Sequence, residues 1–308
     1  VTNASDTREC CSEDGNAVMA GYSTDAGNTW TKFASLPTPP GTKEDDPWRM
    51  SFGTIAVSST DPDNIVWAPA NNRAPFFTKD RGKTWEQVIL PGATGDTYGS
   101  FRNSWYQRKT LTADKTTGGV FYLVHSGEQP NEGLAGLWRT SDGGANWEHV
   151  SKGEIAPRSN MAAKLRSVPE HGGHLFFTSG VADGQAPLRR STDGGVTWAS
   201  VPRLGRVDDI GFGKAAAGAK YPAIYISGQV DGVYGVWRSV DEAKSWQKLI
   251  DFPVGTLDQV TVIAADPVVF GRVYLGYKGS GWIWGEPAQC HAAPYVSFTT
   301  TQCSAVSH

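Results

Sequence analysis

The sequence predicts an all-β fold, a β-propeller of four-stranded blades, and three observations carry that prediction. An eight-residue pattern, S/T-x-D-x-x-x-x-W, recurs five times along the 308 residues. Between the copies lies a second recurring unit: an alternating apolar strand, a polar turn and another apolar strand. The composition has 36 Gly and 12 Trp against only 3 Met, with no long Leu/Ala/Glu/Lys stretch, which suits strands and tight turns rather than helices.

The copies are S-T-D-A-G-N-T-W at 23–30, T-K-D-R-G-K-T-W at 78–85, T-S-D-G-G-A-N-W at 140–147, S-T-D-G-G-V-T-W at 191–198 and S-V-D-E-A-K-S-W at 239–246. Their aspartates, Asp25, Asp80, Asp142, Asp193 and Asp241, lie 55, 62, 51 and 48 positions apart. In such an Asp-box the carboxylate accepts backbone N–H bonds inside a tight turn, and glycine supplies the positive φ that the turn needs. The box is read as a hairpin clip between the two outer strands of a blade. Its tryptophans, Trp30, Trp85, Trp147, Trp198 and Trp246, are assigned to the packing between blades. The fifth copy has Glu242, Ala243 and Lys244 where glycines are expected, so its turn is the least secure of the five.

The inner units include I-A-V-S-S-T-D-P-D-N-I-V-W-A, L-T-A-D-K-T-T-G-G-V-F-Y-L-V and V-I-A-A-D-P-V-V-F-G-R-V-Y-L-G. Two inner strands plus a boxed hairpin make one blade. Four complete blades result, with a box that has no inner unit before it and a final inner unit at about 260–285 with no box after it. The two ends either close on each other as a fifth blade, or the chain is most of a six- or seven-bladed propeller; the second is favoured. The expected organisation is an N-terminal segment at 1–17, the propeller at 18–287 and a C-terminal tail at 288–308.

A formal charge of −3 with both signs interspersed argues against nucleic acid and anionic membranes as partners. No run of 18 apolar residues occurs, and the start at Val1 is read as processing or excision. The four cysteines stand near the ends, and a disulfide between Cys290 and Cys303 would close the tail into a loop against the last blade. Of the adjacent Cys10 and Cys11, at least one is expected to pair elsewhere. With the sequon at Asn3, this points to a secreted, extracellular protein. The six histidines have no ligand spacing, so neither a metal nor a cofactor is assigned.

Three longer segments narrow the class: V-D-D-I-G-F-G-K-A-A-A-G-A-K-Y-P-A-I-Y at 207–225, G-Q-V-D-G-V-Y-G-V-W-R-S-V-D at 228–241 and D-P-V-V-F-G-R-V-Y-L-G-Y-K-G-S-G-W-I-W-G at 266–285. In order and spacing they resemble the final blades of glycoside hydrolase family 74, and G-T-I-A-V-S-S-T-D-P-D-N-I-V-W-A-P at 53–69 is similar to the same family. The resemblance implies the C-terminal propeller of a secreted β-1,4-glucanase that acts on xyloglucan with inversion, between two seven-bladed propellers. Inversion needs an acid and a base on opposite sides of the scissile bond. The family draws one aspartate from each propeller; that of the second lies ahead of the region matching 18–30, in a stretch with no counterpart here. The catalytic residues are therefore unassigned.

Loops entering the inner strands should converge near the propeller axis, where a ligand would sit. Glu44, Asp45 and Asp46 form a carboxylate cluster there, and Asp45 and Asp46 are weak catalytic candidates; a solvated acidic loop is the favoured reading. Trp48, Trp105 and Tyr106 are candidate platforms for sugar C–H faces. Trp282 and Trp284 are expected to face opposite ways on their strand, with Trp282 nearer a loop mouth. Arg49, Arg102, Arg158 and Arg206 fall at comparable places in four entry loops and would suit an acidic sugar, against the plainer reading of surface ion pairs. A sialidase is disfavoured because no F/Y-R-I-P strand occurs. Asp208 and Asp209 match an acidic position of the family pattern, and Asp209 either binds sugar hydroxyls or braces a turn.

The functional expectation is a xyloglucan-active inverting glycoside hydrolase or its C-terminal propeller, with a second propeller from the same precursor as a further partner. A noncatalytic propeller binding polysaccharide or protein, and an enzyme acting on an acidic polysaccharide, are the alternatives.

Overall fold

In a computed structural model the described residues are 2–5, 19–40, 54–68, 74–93, 109–125, 127, 132–152, 163–178, 187–251, 260–277 and 281–287. They form an all-β structure of short antiparallel meanders, with one 3-10 turn at Glu132–Leu134. The contacts divide the chain into two compact units, Val1–Phe177 with Arg190–Ala199, and Thr178–Arg189 with Ser200–His308.

The first sheet holds β1 (Thr2–Ser5), β2 (Met19–Tyr22) and β3 (Thr31–Lys32) in that order. β1 pairs antiparallel with β2, the incoming strand of the first box, so an inner strand stands where the repeat count expected no inner unit. The second sheet is β4 (Thr54–Val57), β5 (Ile65–Ala68), β6 (Phe76–Thr78) and β7 (Glu86–Gln87). The third is β8 (Leu111–Ala113), β9 (Phe121–His125), β10 (Gly136–Thr140) and β11 (Glu148–Lys152). The fourth is β12 (Lys164–Ser167), β13 (Leu175–Thr178), β14 (Leu188–Ser191) and β15 (Ala199–Ser200). In the second unit stand β16 (Leu204–Gly213), β17 (Ala223–Val230), β18 (Val233–Ser239) and β19 (Gln247–Ile250), then a three-stranded sheet of β20 (Val260–Ala265), β21 (Val273–Tyr277) and β22 (Trp282–Gly285).

The second strand of each complete sheet reads as a continuous apolar run because it is covered on both faces. Side chains alternate along a strand, so β5 sends Ile65 and Trp67 to a cluster with Ala20 and Phe33 of the first sheet. Its Val66 and Ala68 go the other way, to Leu111, Phe121 and Leu123 of the third. β9 repeats the division: Phe121 and Leu123 face the second sheet, while Tyr122 and Val124 meet Leu165, Leu175 and Phe177 of the fourth. In the second unit Tyr225 and Val236 pack on Ile263, Leu275 and Tyr277. Stacked sheets with shared apolar layers are the packing of propeller blades, and each fully buried Leu or Phe contributes about 2 kcal/mol.

All five boxes close in the same way. The hydroxyl of Ser23, Thr78, Thr140, Ser191 or Ser239 donates to its aspartate at 2.7–2.8 Å. The same oxygen accepts the N–H of the residue four positions on, Gly27, Gly82, Gly144, Gly195 or Ala243. The carboxylate then accepts the backbone N–H of Thr29, Thr84, Asn146, Thr197 or Ser245 at 2.9–3.0 Å, and that residue's side chain donates to the other oxygen at 2.5–2.6 Å. The seventh box position is thus a second hydrogen-bonding side chain. Its restriction to Thr, Asn or Ser is visible in the five copies of the sequence.

The box tryptophans are less uniform than a shared core role requires. Trp147 is 5% exposed, Trp85 and Trp198 are half-buried, and Trp30 is 47% exposed. Trp85 shows the cause, because its ring packs edge-on against Phe33 of the first sheet at 5.5 Å. A box tryptophan needs the preceding sheet as its wall, and no described sheet precedes the first.

Candidate functional site

The inner strands begin side by side. β8 and β12 run parallel at their heads, where Lys109 N–H donates to Ala163 O at 2.9 Å and Leu165 N–H to Lys109 O at 2.6 Å. Lys164, at the first position of β12, is 1% exposed. These two lysines mark the starts of two neighbouring inner strands, and sequence reasoning did not single them out.

Of the sequence-predicted site residues, Asp45, Asp46, Trp48, Arg49, Arg102, Trp105, Tyr106 and Arg158 lie outside the described residues, as do Cys10, Cys11, Cys290 and Cys303. Arg206, Asp208, Asp209 and Trp282 are described.

β16 carries the first three. It breaks register with β17 twice, between Leu204 and Arg206 and between Val207 and Asp209, so each bulge inserts one residue and re-aims its neighbours. Arg206 Nε donates to Asp208 Oδ1 at 2.6 Å; the carboxylate is fully buried and the arginine about one third exposed. The arginine is therefore neutralised by its own strand, which is the ion-pair reading of this funnel position. Asp209 has no exposed surface. Its Oδ1 accepts Ile210 N–H at 2.8 Å and its Oδ2 accepts Ile263 N–H of β20 at 3.1 Å. Asp209 thus ties one sheet to the next and lies away from solvent.

Trp282 and Trp284 correct the sequence reading. Residues two apart on a strand share a face, and both indoles are exposed, at 67% and 52%. In register, Trp282 stands beside Gly276 and Trp284 beside Tyr274. Arg272 lies over the Trp284 ring at 5.5 Å while bonding Glu286, so the open aromatic surface is mainly that of Trp282.

A second hydrogen-bonding turn, missed in the sequence, secures the hairpins between inner strands. Asp114 Oδ1 accepts Thr116 and Thr117 N–H, while its Oδ2 accepts Gly173 N–H of the next sheet at 2.8 Å and the Tyr122 hydroxyl at 3.3 Å. Asp266 accepts Val268 and Val269 N–H and the Tyr274 hydroxyl in the same manner. An aspartate followed by tyrosine eight positions later is the signal that finds both. Among the described residues, no group of three or more His, Cys, Asp or Glu is placed to hold a metal.

The sheets and their clips define a β-propeller built on Asp-box repeats. No family model matches the sequence. A xyloglucanase from a Paenibacillus species is 30% identical over 276 residues, covering 89% of this chain and 23% of that protein. Xyloglucanase Xgh74A of Acetivibrio thermocellus is 30% identical over 273 residues, covering 89% of this chain and 28% of the relative. Among solved structures, the GH74 xyloglucanase of Xanthomonas campestris superposes with a TM-score of 0.65 at 27% identity, over 90% of this chain and 34% of that one. The chain is thus similar to xyloglucanases and to GH74 structures along about nine tenths of its own length, and it spans about a quarter of the length of the curated relatives it matches.

Proposed function

We propose that this chain is the C-terminal propeller of a secreted, inverting hydrolase of xyloglucan or a related β-1,4-glucan. The observation that carries the reading is the 30% identity to xyloglucanases along 89% of the chain. Two features of the site support a neutral sugar polymer. Arg206, the one described member of the arginine series, is occupied by Asp208, and Trp282 offers an open indole of the type that stacks on sugar C–H faces. The acid and base of an inverting pair stand far enough apart to admit a water, and the family divides them between two propellers. On this reading the chain supplies one wall of the cleft, and a second propeller from the same precursor supplies the other.

The test is binding by depletion together with reducing-end release, using the purified chain on xyloglucan and on polygalacturonate in parallel. Retention on xyloglucan alone, weakened several-fold by Trp282→Ala, is the expected result. Cleavage of xyloglucan would place a catalytic pair within the chain. Retention or cleavage confined to polygalacturonate would overturn the neutral-glucan reading.

A further inference from the structure

Two sheets of the same plan carry an arginine and a tyrosine at matching register positions, with opposite charge balance around them. In the third sheet Arg139 of β10 stands between Tyr122 of β9 and Glu148 of β11. Its Nε donates to Glu148 at 2.7 Å, and the Tyr122 hydroxyl donates to Asp114 Oδ2 at 3.3 Å. The same carboxylate oxygen accepts Gly173 N–H of the next sheet at 2.8 Å. Cation, hydroxyl and backbone N–H each meet a carboxylate.

In the second unit Arg238 of β18 stands between Tyr225 of β17 and Gln247 of β19. A neutral amide thus replaces Glu148, and its Oε1 accepts Arg238 Nη2 at 2.7 Å. Eight positions before Tyr225, where Asp114 precedes Tyr122 and Asp266 precedes Tyr274, the residue is Ala217. Both carboxylates are therefore replaced. Burial is nonetheless deeper here: Arg238 is 7% exposed and Tyr225 has no exposed surface, whereas Arg139 is only half-buried.

The groups that converge on this place are donors. Arg238 Nη1 and Tyr225 Oη have no hydrogen-bond partner among the described residues. Burial, the largest influence, pushes the Tyr225 hydroxyl up, while the Arg238 guanidinium and the Gly271 N–H beside it act the other way. The hydroxyl therefore keeps its proton and needs an acceptor. Gly271 belongs to the turn between β20 and β21, at φ 87°, and a Cβ there would lie 3.7 Å from Arg238 Nη1. Phe270 of the same turn lies under the guanidinium, 4.8 Å from it. The ring attracts the cation through its face but takes none of the edge N–H bonds. Of the carboxylates flanking this turn and β22, Asp266 and Glu286 are both held by Arg272. A buried guanidinium without a counter-charge is costly, and a neutral acceptor alone leaves that cost in place.

We propose that Arg238 Nη1, the Tyr225 hydroxyl and the backbone around Gly271 bind a monovalent anion of halide size, which does here what the Asp114 carboxylate does in the third sheet. The anion neutralises Arg238, accepts the tyrosine proton's hydrogen bond and ties the β16–β19 sheet to the β20–β21 turn, as Asp114 ties the third sheet to Gly173 of the fourth. One cation surrounded by apolar side chains selects a single negative charge, since a doubly charged oxyanion would leave a net charge buried.

Thermal unfolding of the whole chain tests this, with gluconate replaced stepwise by chloride at constant ionic strength. Above the dissociation constant the midpoint should climb by about 3 °C for each tenfold rise in chloride, and bromide should act alike. Tyr225→Phe keeps the ring and removes one donor, so several-fold more chloride should be needed for the same rise; Arg238→Gln should abolish the response. A wild type that ignores halide overturns the site, and an equal response in the wild type and both variants means an adventitious ion only, which overturns it as well. If Arg238→Gln fails to fold, Tyr225→Phe and crystals grown in bromide decide. An anomalous peak within hydrogen-bond reach of Arg238 Nη1 and Tyr225 Oη supports the proposal, and a water at that place with no anomalous signal sinks it.

Discussion

The fourth and fifth boxes make the same turn from different residues, and the difference separates what the clip needs from what its surroundings need. In S-T-D-G-G-V-T-W the two left-handed positions are Gly194 and Gly195, at φ 72° and 87°. In S-V-D-E-A-K-S-W they are Glu242 and Ala243, at φ 63° and 68°. Both boxes keep the hydroxyl, carboxylate and seventh-position bonds within 0.1 Å of each other. The expectation that loss of the glycines weakens the turn geometry is therefore not met. The hydrogen bonds impose the conformation, and glycine only lowers its cost.

Glycine has a second job in the other boxes. A Cβ on Gly195 would run into Leu137 Cδ2, one on Gly144 would come within 2.8 Å of Phe77 Cβ, and one on Gly82 would strike the Phe33 ring. At these positions the box presses against a core side chain of the preceding sheet. Gly27, in the first sheet, would meet nothing within 4 Å. Gly195→Ala is thus the most damaging single change to a box, combining left-handed strain with overpacking against Leu137; about 3 kcal/mol of stability should be lost, read from the urea midpoint. Gly27→Ala carries only the backbone strain and should cost about 1 kcal/mol. Equal losses at the two sites would remove the steric half of the argument.

Removing the carboxylate is the next largest effect. Asp193→Ala leaves Thr197 N–H and the Ser191 and Thr197 hydroxyls to water, since the box is largely open, and a loss of about 1–2 kcal/mol is expected by thermal denaturation. The same bonds set an acid limit. The Thr29 hydroxyl holds the Asp25 carboxyl at about 2, and the Thr84 hydroxyl does the same for Asp80. A carboxylate lowered in the folded state stabilises above its ordinary value of 3.8 and loses that contribution as pH falls through about 2. Thr84→Val should raise the Asp80 midpoint in a carboxyl NMR titration and leave Asp25 unmoved; a shift of both would mean the boxes do not titrate independently.

The clip was legible in the sequence because it is local. Every group it uses lies within eight residues, and the pattern recurs often enough to declare itself. The four complete sheets followed for the same reason, each from two apolar runs and one box. The site was less legible because strand irregularity decides it. Asp208 and Asp209 are adjacent, yet the bulge before Asp209 gives one to Arg206 and the other to Ile263, 54 residues on. His149 comes to lie on Trp138 through a one-residue slip in β10–β11 that leaves no mark in composition or spacing. Trp282 and Trp284 were misread for a simpler reason, since a period of two puts them on one face.

The smallest effect is the most informative about the fifth box. Ala243 is 4% exposed, so its methyl fills space that the second, third and fourth boxes leave to a neighbouring side chain. Ala243→Gly relieves about 1–2 kcal/mol of left-handed strain but gives up about 0.8 kcal/mol of buried methyl, so the net gain should be below about 1 kcal/mol. Restoring glycine at this one position is therefore nearly neutral here, while the reverse change at Gly195 is costly. If Ala243→Gly instead destabilises by more than about 1 kcal/mol in the urea midpoint, the methyl is a packing element and the fifth box has replaced conformational ease with contact.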